Sequence, residues 1–497
     1  MALEIGKNKL TLEQVQQVAL KNEKVKLAPI AKKKIKIAHE FLKKKSDSGE
    51  VIYGVNTGFG ILSNVKVEAK DLAQLQLNLL RSHAVGTGEP LSREKVRAMV
   101  LLRAANLTQG HSGVSVRVVE ALIDLLNHDI TPWIPEQGSV GASGDLSPLA
   151  HLALVLIGEG KAYVNGRLVS GKKALEIKKL KPVSLGPKEG LALINGTQFM
   201  AALAVFAVLE SERLFRVASI SSAMTLEALR GTSTAFDEKI HAVRPHPGQI
   251  ETAKIMRDLL NHPKKSEIAK SHVNCTRVQD PYSLRCIPQV HGASLDTIRF
   301  VRETIEREIN SVTDNPLVFP KEGEVLSGGN FHGQYLALAM DYLSIAMAEI
   351  GSISEQRIEK MINPAISDLP AFLMKKAGIN SGFMIVQVAA ASIVSENKTL
   401  CHPASVDTIP TSADKEDHVS MGAWASRKCL MVVKNVERIL AMELMAAAQG
   451  IDLLRPLRST EKLEKIHAQV RKKVPYFEED APFYESIEAI TTVIATF

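Results

Sequence analysis

Four stretches of this chain, 200–229, 333–361, 381–400 and 420–454, are long runs of helix formers that glycine and proline rarely break. Each is apolar around more than one narrow face, so as a lone surface helix it would leave apolar side chains in water. A bundle in which each helix is surrounded by others hides them. Small residues at 423–426 and 442–448 let neighbouring helices approach closely. So little solvating charge over such lengths further predicts that helices from several subunits pack together. Aromatic residues are few (5%), while Ala, Leu, Ile, Glu and Lys are abundant, which favours helices over strands. The expected fold is mainly all-α. Residues 1–199 would form a mixed, turn-rich N-terminal portion, 200–455 a long central helical bundle, and 456–497 a C-terminal helical segment, together making one unit.

With 497 residues the chain can bury a large core. A net charge of +7 raises the question of an acidic partner. The excess sits in lysine-rich stretches such as 31–36 and 172–181, which read as solvated faces, so no nucleic-acid partner is expected. The cysteines Cys275, Cys286, Cys401 and Cys429 form no C-x-x-C pair and have no histidines at zinc spacing. Neither a disulfide framework nor a metal is expected, and thiols suit a reducing cytoplasm. The first residues lack the apolar core of a signal peptide, and the longest apolar stretch, around 199–209, is too short to cross a bilayer. These readings predict a soluble cytoplasmic protein with no membrane partner. No P-loop, Rossmann glycine string or pyridoxal-lysine context is present, so no external organic cofactor is expected.

The most informative segment is Gly138-Ser139-Val140-Gly141-Ala142-Ser143-Gly144-Asp145-Leu146-Ser147-Pro148-Leu149-Ala150. Its right half predicts a helix start, with Ser147 as cap and Pro148 at the first helical position. The positive end of that helix would lie a few residues from Ser143. Three small residues before it permit an unusual backbone reaction. If the Gly144 nitrogen attacks the Ala142 carbonyl carbon, a five-membered ring closes. Loss of one water from the ring and one from Ser143 leaves an exocyclic alkene conjugated with the ring carbonyl. Gly144 offers an unhindered nitrogen and tolerates strained dihedrals, Ser143 supplies the leaving hydroxyl, and Ala142 crowds the closure little. The product is an electrophile that no ordinary side chain provides, and a helix N-terminus stabilises the negative charge it acquires when attacked.

Alone, Ala-Ser-Gly is a common turn tripeptide. The longer string resembles the signature of the aromatic amino acid ammonia-lyase and aminomutase family, and the resemblance runs from Tyr53 to about Arg458. Tyr53-Gly-Val-Asn-Thr-Gly-Phe-Gly60 is similar to that family's lid loop and reads as a mobile loop rather than a packed element. Leu193-Ile-Asn-Gly-Thr-Gln198 resembles the segment that places an Asn beside the electrophile. Gln279-Asp-Pro-Tyr-Ser-Leu-Arg-Cys286 and Ser327-Gly-Gly-Asn-Phe-His332 resemble its substrate-binding segments. The resemblance implies a 4-methylidene-imidazol-5-one formed autocatalytically from Ala142, Ser143 and Gly144, and a fumarase/aspartase-like helical fold. It also implies a homotetramer with active sites shared among subunits, acting on a small amino-acid substrate.

Two positions bear on which amino acid. His83 stands where the histidine-acting members resemble one another. Glu416 matches the acid that faces a substrate imidazole, where lyases for plain aromatics usually carry Gln. A partly desolvated carboxylate binds an imidazole N–H and favours its protonated form, and would be costly opposite a phenyl ring. The resemblance therefore implies non-oxidative deamination of L-histidine to trans-urocanate and ammonia. Arg285, three residues after Tyr282 and on its face if that segment is helical, would clamp the substrate carboxylate. Tyr53 is the preferred base for the β-proton, with Tyr282 the other candidate, provided nearby positive charge lowers its pKa. Asn195 and Gln279 would hold the electrophile's ring and nearby hydroxyls, and Phe331 would line the pocket. The rivals are a tyrosine or phenylalanine ammonia-lyase or 2,3-aminomutase, and a non-catalytic helical scaffold that would leave the tripeptide unmodified.

Overall fold

The structure is a computed structural model and describes residues 2–272 and 278–497; Cys275 lies outside the described residues. Helices dominate, and the strands are short pieces pairing in twos and threes. Contacts divide the chain into two compact units, each assembled from distant segments.

The first unit comprises Met1–Phe206, Arg302–Asp341 and Pro403–Arg427. It holds the strands: Leu3–Ile5 parallel to Val25–Leu27, Thr87–Pro90 antiparallel to Pro135–Gln137, and Leu317–Phe319 antiparallel to Glu324–Leu326. A three-stranded sheet sets Lys161–Val164 between Ile130–Pro132 and Arg167–Ser170. Around these lie helices with local start signals. Leu12–Lys21, for example, begins with a capping box in which Thr11 and Gln14 satisfy each other's backbone N–H groups. The helix Arg93–Leu107 is buried from Val96 onward, including Arg97, Arg103 and Asn106. Such a helix cannot be amphipathic, and its polar groups must find partners inside the protein. Leu146–Leu156 packs on both Leu72–His83 and Glu189–Ile194.

The second unit comprises Ala207–Val301, Tyr342–His402 and Lys428–Phe497. The long helices Gln198–Ala228, Gln334–Ile362, Met384–Leu400 and Gly422–Leu453 supply much of it, as the apolar stretches predict, and Ile287–Glu308, which no such stretch announces, adds a further long helix. Its interior is not purely apolar. Glu443 and Arg357 are both fully buried, with Arg357 Nε 2.5 Å from Glu443 Oε1 and Nη2 2.9 Å from Oε2. Ser221, Thr225 and Ser354 donate further hydrogen bonds to the same carboxylate. Removing one partner strands the other's charge in a dry interior. Glu443→Ala is accordingly expected to destabilise the fold by about 3 kcal/mol, read as a lowered denaturation midpoint.

Among the described residues, one helix is long and apolar enough to cross a membrane. It is Gln334–Ile362, whose most apolar window has a mean hydropathy of 1.4 and is 61% buried. The apolar stretch at 199–209 is therefore not the longest. Asp341 interrupts 334–362 to the eye, but it is itself buried and accepts the Ser405 N–H at 2.8 Å. That burial is the signature of a core helix.

Candidate active site

The tripeptide sits at a close approach of two loops in the first unit. Gly144 has φ +75°, and a Cβ there would lie 2.2 Å from the Gly196 carbonyl oxygen. Gly196, at φ +150°, meets Arg103, Gln198 and Thr313 in the same way. Only residues without a side chain let these two backbones touch. The Gly144–Gly196 bridge and the bond from Asp145 N–H to Gly196 O (2.7 Å) then fix the tripeptide against the Asn195 segment.

Asn195 ends the helix Glu189–Ile194. Its Nδ2 donates to the Ser143 carbonyl at 3.0 Å, while its buried Oδ1 has no partner among the described residues. Beneath it, Arg103 donates to the Asn195 carbonyl (2.8 Å), to Gln198 Oε1 (2.7 Å) and to Asn106 (2.8 Å). Burial pulls the Arg103 guanidinium down to about 10, opposed by Asp314. Asp314 also pairs with the fully buried Lys188 at 2.6 Å. This buried polar network holds the Asn195 backbone rigidly, because each charged member would be costly if it moved off its partners.

The helix after the tripeptide starts two residues earlier than the sequence predicts. It runs Leu146–Leu156 with Asp145, not Ser147, as its first cap residue; Ser147 and Pro148 lie inside the first turn. The Asp145 carbonyl accepts the Leu149 N–H (3.1 Å), which places the boundary. Its side chain serves a different helix, accepting the N–H groups of Phe199 and Met200 at 3.0 Å each, and the Ser139 hydroxyl at 3.0 Å. Burial pushes this carboxyl up to about 7, against those hydrogen bonds. Asp145 thus ties the tripeptide to the start of Gln198–Ala228, a role no local signal in the sequence announces.

Above the tripeptide opens a cavity of about 850 Å³, lined among others by Tyr53, Phe59, His83, Ala142, Ser143, Asn195, Phe331 and Glu416. Ser143 Oγ donates to Glu416 Oε1 at 2.6 Å, and Thr411 Oγ1 donates to Glu416 Oε2 at 2.7 Å. Tyr53 packs edge-on to Phe59. Its hydroxyl is pushed up by burial and by the Glu416 carboxylate, with a backbone hydrogen bond from Gly60 pulling the other way. No net lowering of Tyr53 is found within this one chain. Burial lowers the His83 imidazole, opposed by a backbone bond at Leu79 and by Glu416.

The loop carrying Tyr53 is irregular, as its glycines predict, but packed rather than loose. Residues 54–58 are buried, Asn56 bonds to Ile52 N–H and to the Glu50 carbonyl, and Gly54 N–H donates to Thr57 Oγ1. His332 also lines the cavity and stacks on His418, their rings 5.9 Å apart and 6° from parallel. His111 and His151 instead bond backbone groups of Val318 and Gly86.

Gln279, Tyr282 and Arg285 belong to the second unit and are not among the residues lining this cavity. Tyr282–Arg285 is a single helical turn, and the Arg285 guanidinium lies 4.5 Å from the centre of the Tyr282 ring, so the two share a face as their spacing predicts. Tyr282 is 70% exposed.

The cavity is thus lined by Ala142 and Ser143 of the tripeptide, with Asn195 on the Ser143 carbonyl and the start of Leu146–Leu156 just beyond Gly144. Residues 10–472 match the aromatic amino acid lyase family, and the chain belongs to that family. It is 50% identical to the histidine ammonia-lyase of Anaeromyxobacter dehalogenans, over 98% of this chain and 97% of that one. Among solved structures, the histidine ammonia-lyase of Trypanosoma cruzi superposes with a TM-score of 0.93 at 44% identity, covering 100% of this chain and 94% of that one. The phenylalanine aminomutase of Pantoea agglomerans superposes equally well (0.94) at 33% identity, with 99% of each chain covered. The mainly helical fold is that of the fumarase-like superfamily.

Proposed function

We propose that this protein is a histidine ammonia-lyase, deaminating L-histidine to trans-urocanate and ammonia as the first step of histidine degradation in the cytoplasm. One observation carries the choice of substrate: a carboxylate, Glu416, stands in the cavity within 2.6 Å of the Ser143 hydroxyl. Once the Ser143 hydroxyl is lost in forming the electrophile, an apolar ring would leave Glu416 Oε1 desolvated with no donor, whereas an imidazole N–H satisfies it. The identity pattern agrees, being higher to histidine enzymes than to the aminomutase of the same fold.

The tripeptide's surroundings fit a methylidene-imidazolone. Gly144 is held where no other residue fits, and Asn195 engages the Ser143 carbonyl while keeping a second polar atom beside it that is unpaired among the described residues. Asn195 and the first turn of Leu146–Leu156 would hold the group. Once formed, it supplies the electrophile that turns the substrate amine into a leaving group.

The chain's own residues do the rest. Glu416 binds the imidazole, His83 and Phe331 shape the pocket around it, and Tyr53 takes the β-proton. Since burial and Glu416 both hold the Tyr53 hydroxyl up, its deprotonation calls for added positive charge. We assign that charge, and the clamp on the substrate carboxylate, to Arg285 of another subunit in a homotetramer, arriving with Gln279 and Tyr282. In support, all three lie off this cavity, and Gln279 and Tyr282 are exposed.

The test is to incubate the protein separately with histidine, tyrosine and phenylalanine and to follow the conjugated acrylate product. Histidine is expected to be consumed fastest; a preference for tyrosine would refute the assignment.

A further inference from the structure

Glu416 is not simply a side chain that happens to reach the cavity. It closes a tight hairpin with Thr411, in which Thr411 N–H donates to the Glu416 carbonyl at 3.0 Å and Glu416 N–H to the Thr411 carbonyl at 3.3 Å. Between them Ser412, Ala413 and Asp414 take left-handed backbone angles, with φ of 52°, 53° and 61°. Three successive non-glycine residues in that region are strained, and such a conformation persists only where its surroundings over-determine it. Here they do. Val419 N–H is held by Thr408 Oγ1 at 2.9 Å, Ser420 Oγ donates to the Gly141 carbonyl at 2.9 Å, and Met421 N–H donates to the Val140 carbonyl at 2.8 Å. The hairpin is therefore fastened to the segment that carries Ala142, Ser143 and Gly144.

The side chain is fixed as well. A carboxylate on a two-torsion stem would otherwise swing, presenting either oxygen or neither to a ligand. Thr411 Oγ1 occupies Oε2 at 2.7 Å, which leaves Oε1 as the oxygen turned toward Ser143 and the cavity. We infer that Thr411 is a positioning residue for substrate specificity: its hydroxyl holds one oxygen of Glu416 so that the other meets the substrate's imidazole N–H. This inference rests on the histidine reading above and deepens it. Thr411 is not among the residues lining the cavity, and its described hydrogen bonds are to Glu416, so its effect falls on binding orientation rather than on the chemical steps.

Thr411→Val keeps the shape and removes the donor, whereas Thr411→Ser keeps the donor. In steady-state kinetics with histidine, Thr411→Val is expected to raise KM about tenfold with kcat changed less than about threefold. Thr411→Ser should return KM to within about twofold of the starting protein. The mass of the peptide containing residues 142–144 should be the same in all three proteins. An unchanged KM in Thr411→Val, a loss confined to kcat, or a failure of Thr411→Ser to restore KM would overturn the inference. So would a changed peptide mass, which would place Thr411 in forming the electrophile instead. If the unsubstituted protein does not turn over histidine at all, the histidine reading itself fails, whatever the variants do.

Discussion

Ser143→Ala is expected to lower kcat for histidine by at least about 10³-fold, the scale on which losing an activated covalent group is felt. At the same time the peptide spanning 142–144 should no longer be short of two waters, having either its full unmodified mass or, if the ring still closes, a mass short of one. The two readouts belong together because the Ser143 hydroxyl is the only leaving group in the tripeptide; without it the alkene cannot form, even if the ring closes. The fold should survive. The hydroxyl's described bond is to Glu416 inside an open cavity, whereas Ser143's backbone carbonyl keeps its bond to Asn195. Gly144 and Gly196 still meet as before. Wild-type turnover by the alanine variant would rule out the self-made electrophile, and full unmodified mass in the starting protein without turnover would favour a non-catalytic scaffold.

Glu416→Gln should reduce kcat/KM for histidine by about 10²-fold while leaving the 142–144 peptide short of two waters. The amide keeps an acceptor oxygen and roughly the same volume, so the hairpin from Thr411 should stay closed. What is lost is the negative charge that favours a protonated imidazole. The same charge raises both Tyr53 and His83. Its removal should therefore let both fall, and the His83 imidazole, followed by NMR titration, should lose its proton at lower pH in the variant. A histidine kcat/KM equal to that of the starting protein would sink the role given to Glu416, even if His83 shifts as expected.

The sequence carries the fold class in its least local signal, the four long apolar stretches. A helix that finds no water-facing side has only a bundle to go to, so length and periodicity suffice. The tripeptide was legible for a similar reason: ring closure needs small residues at adjacent positions, and adjacency is what a sequence records. Glu416 was legible through resemblance, and the structure adds why it faces inward, by way of Thr411 and three left-handed residues that no pattern of residue types announces. The helix start was misplaced because Ser147 and Pro148 are good local signals, and Asp145 outranked them from a boundary fixed by backbone bonding. The glycines of the loop at Tyr53 predict mobility, yet they let it pack closely. A Cβ on Gly54 would lie 2.3 Å from Leu191 Cδ2.

By itself, then, the sequence determined that the chain is mainly helical, and it predicts which backbone atoms could react and which side chains could carry the chemistry. Those properties follow from residue type and short-range order along the chain. Only the tertiary structure decided that Gly144 lies against Gly196, that Arg103 and Asp145 brace the tripeptide from below, and that Ser143 and Glu416, 273 positions apart, face each other across 2.6 Å. Such meetings depend on how distant segments close over one buried network, where the cost of leaving a charge or a backbone N–H without a partner selects one arrangement from many.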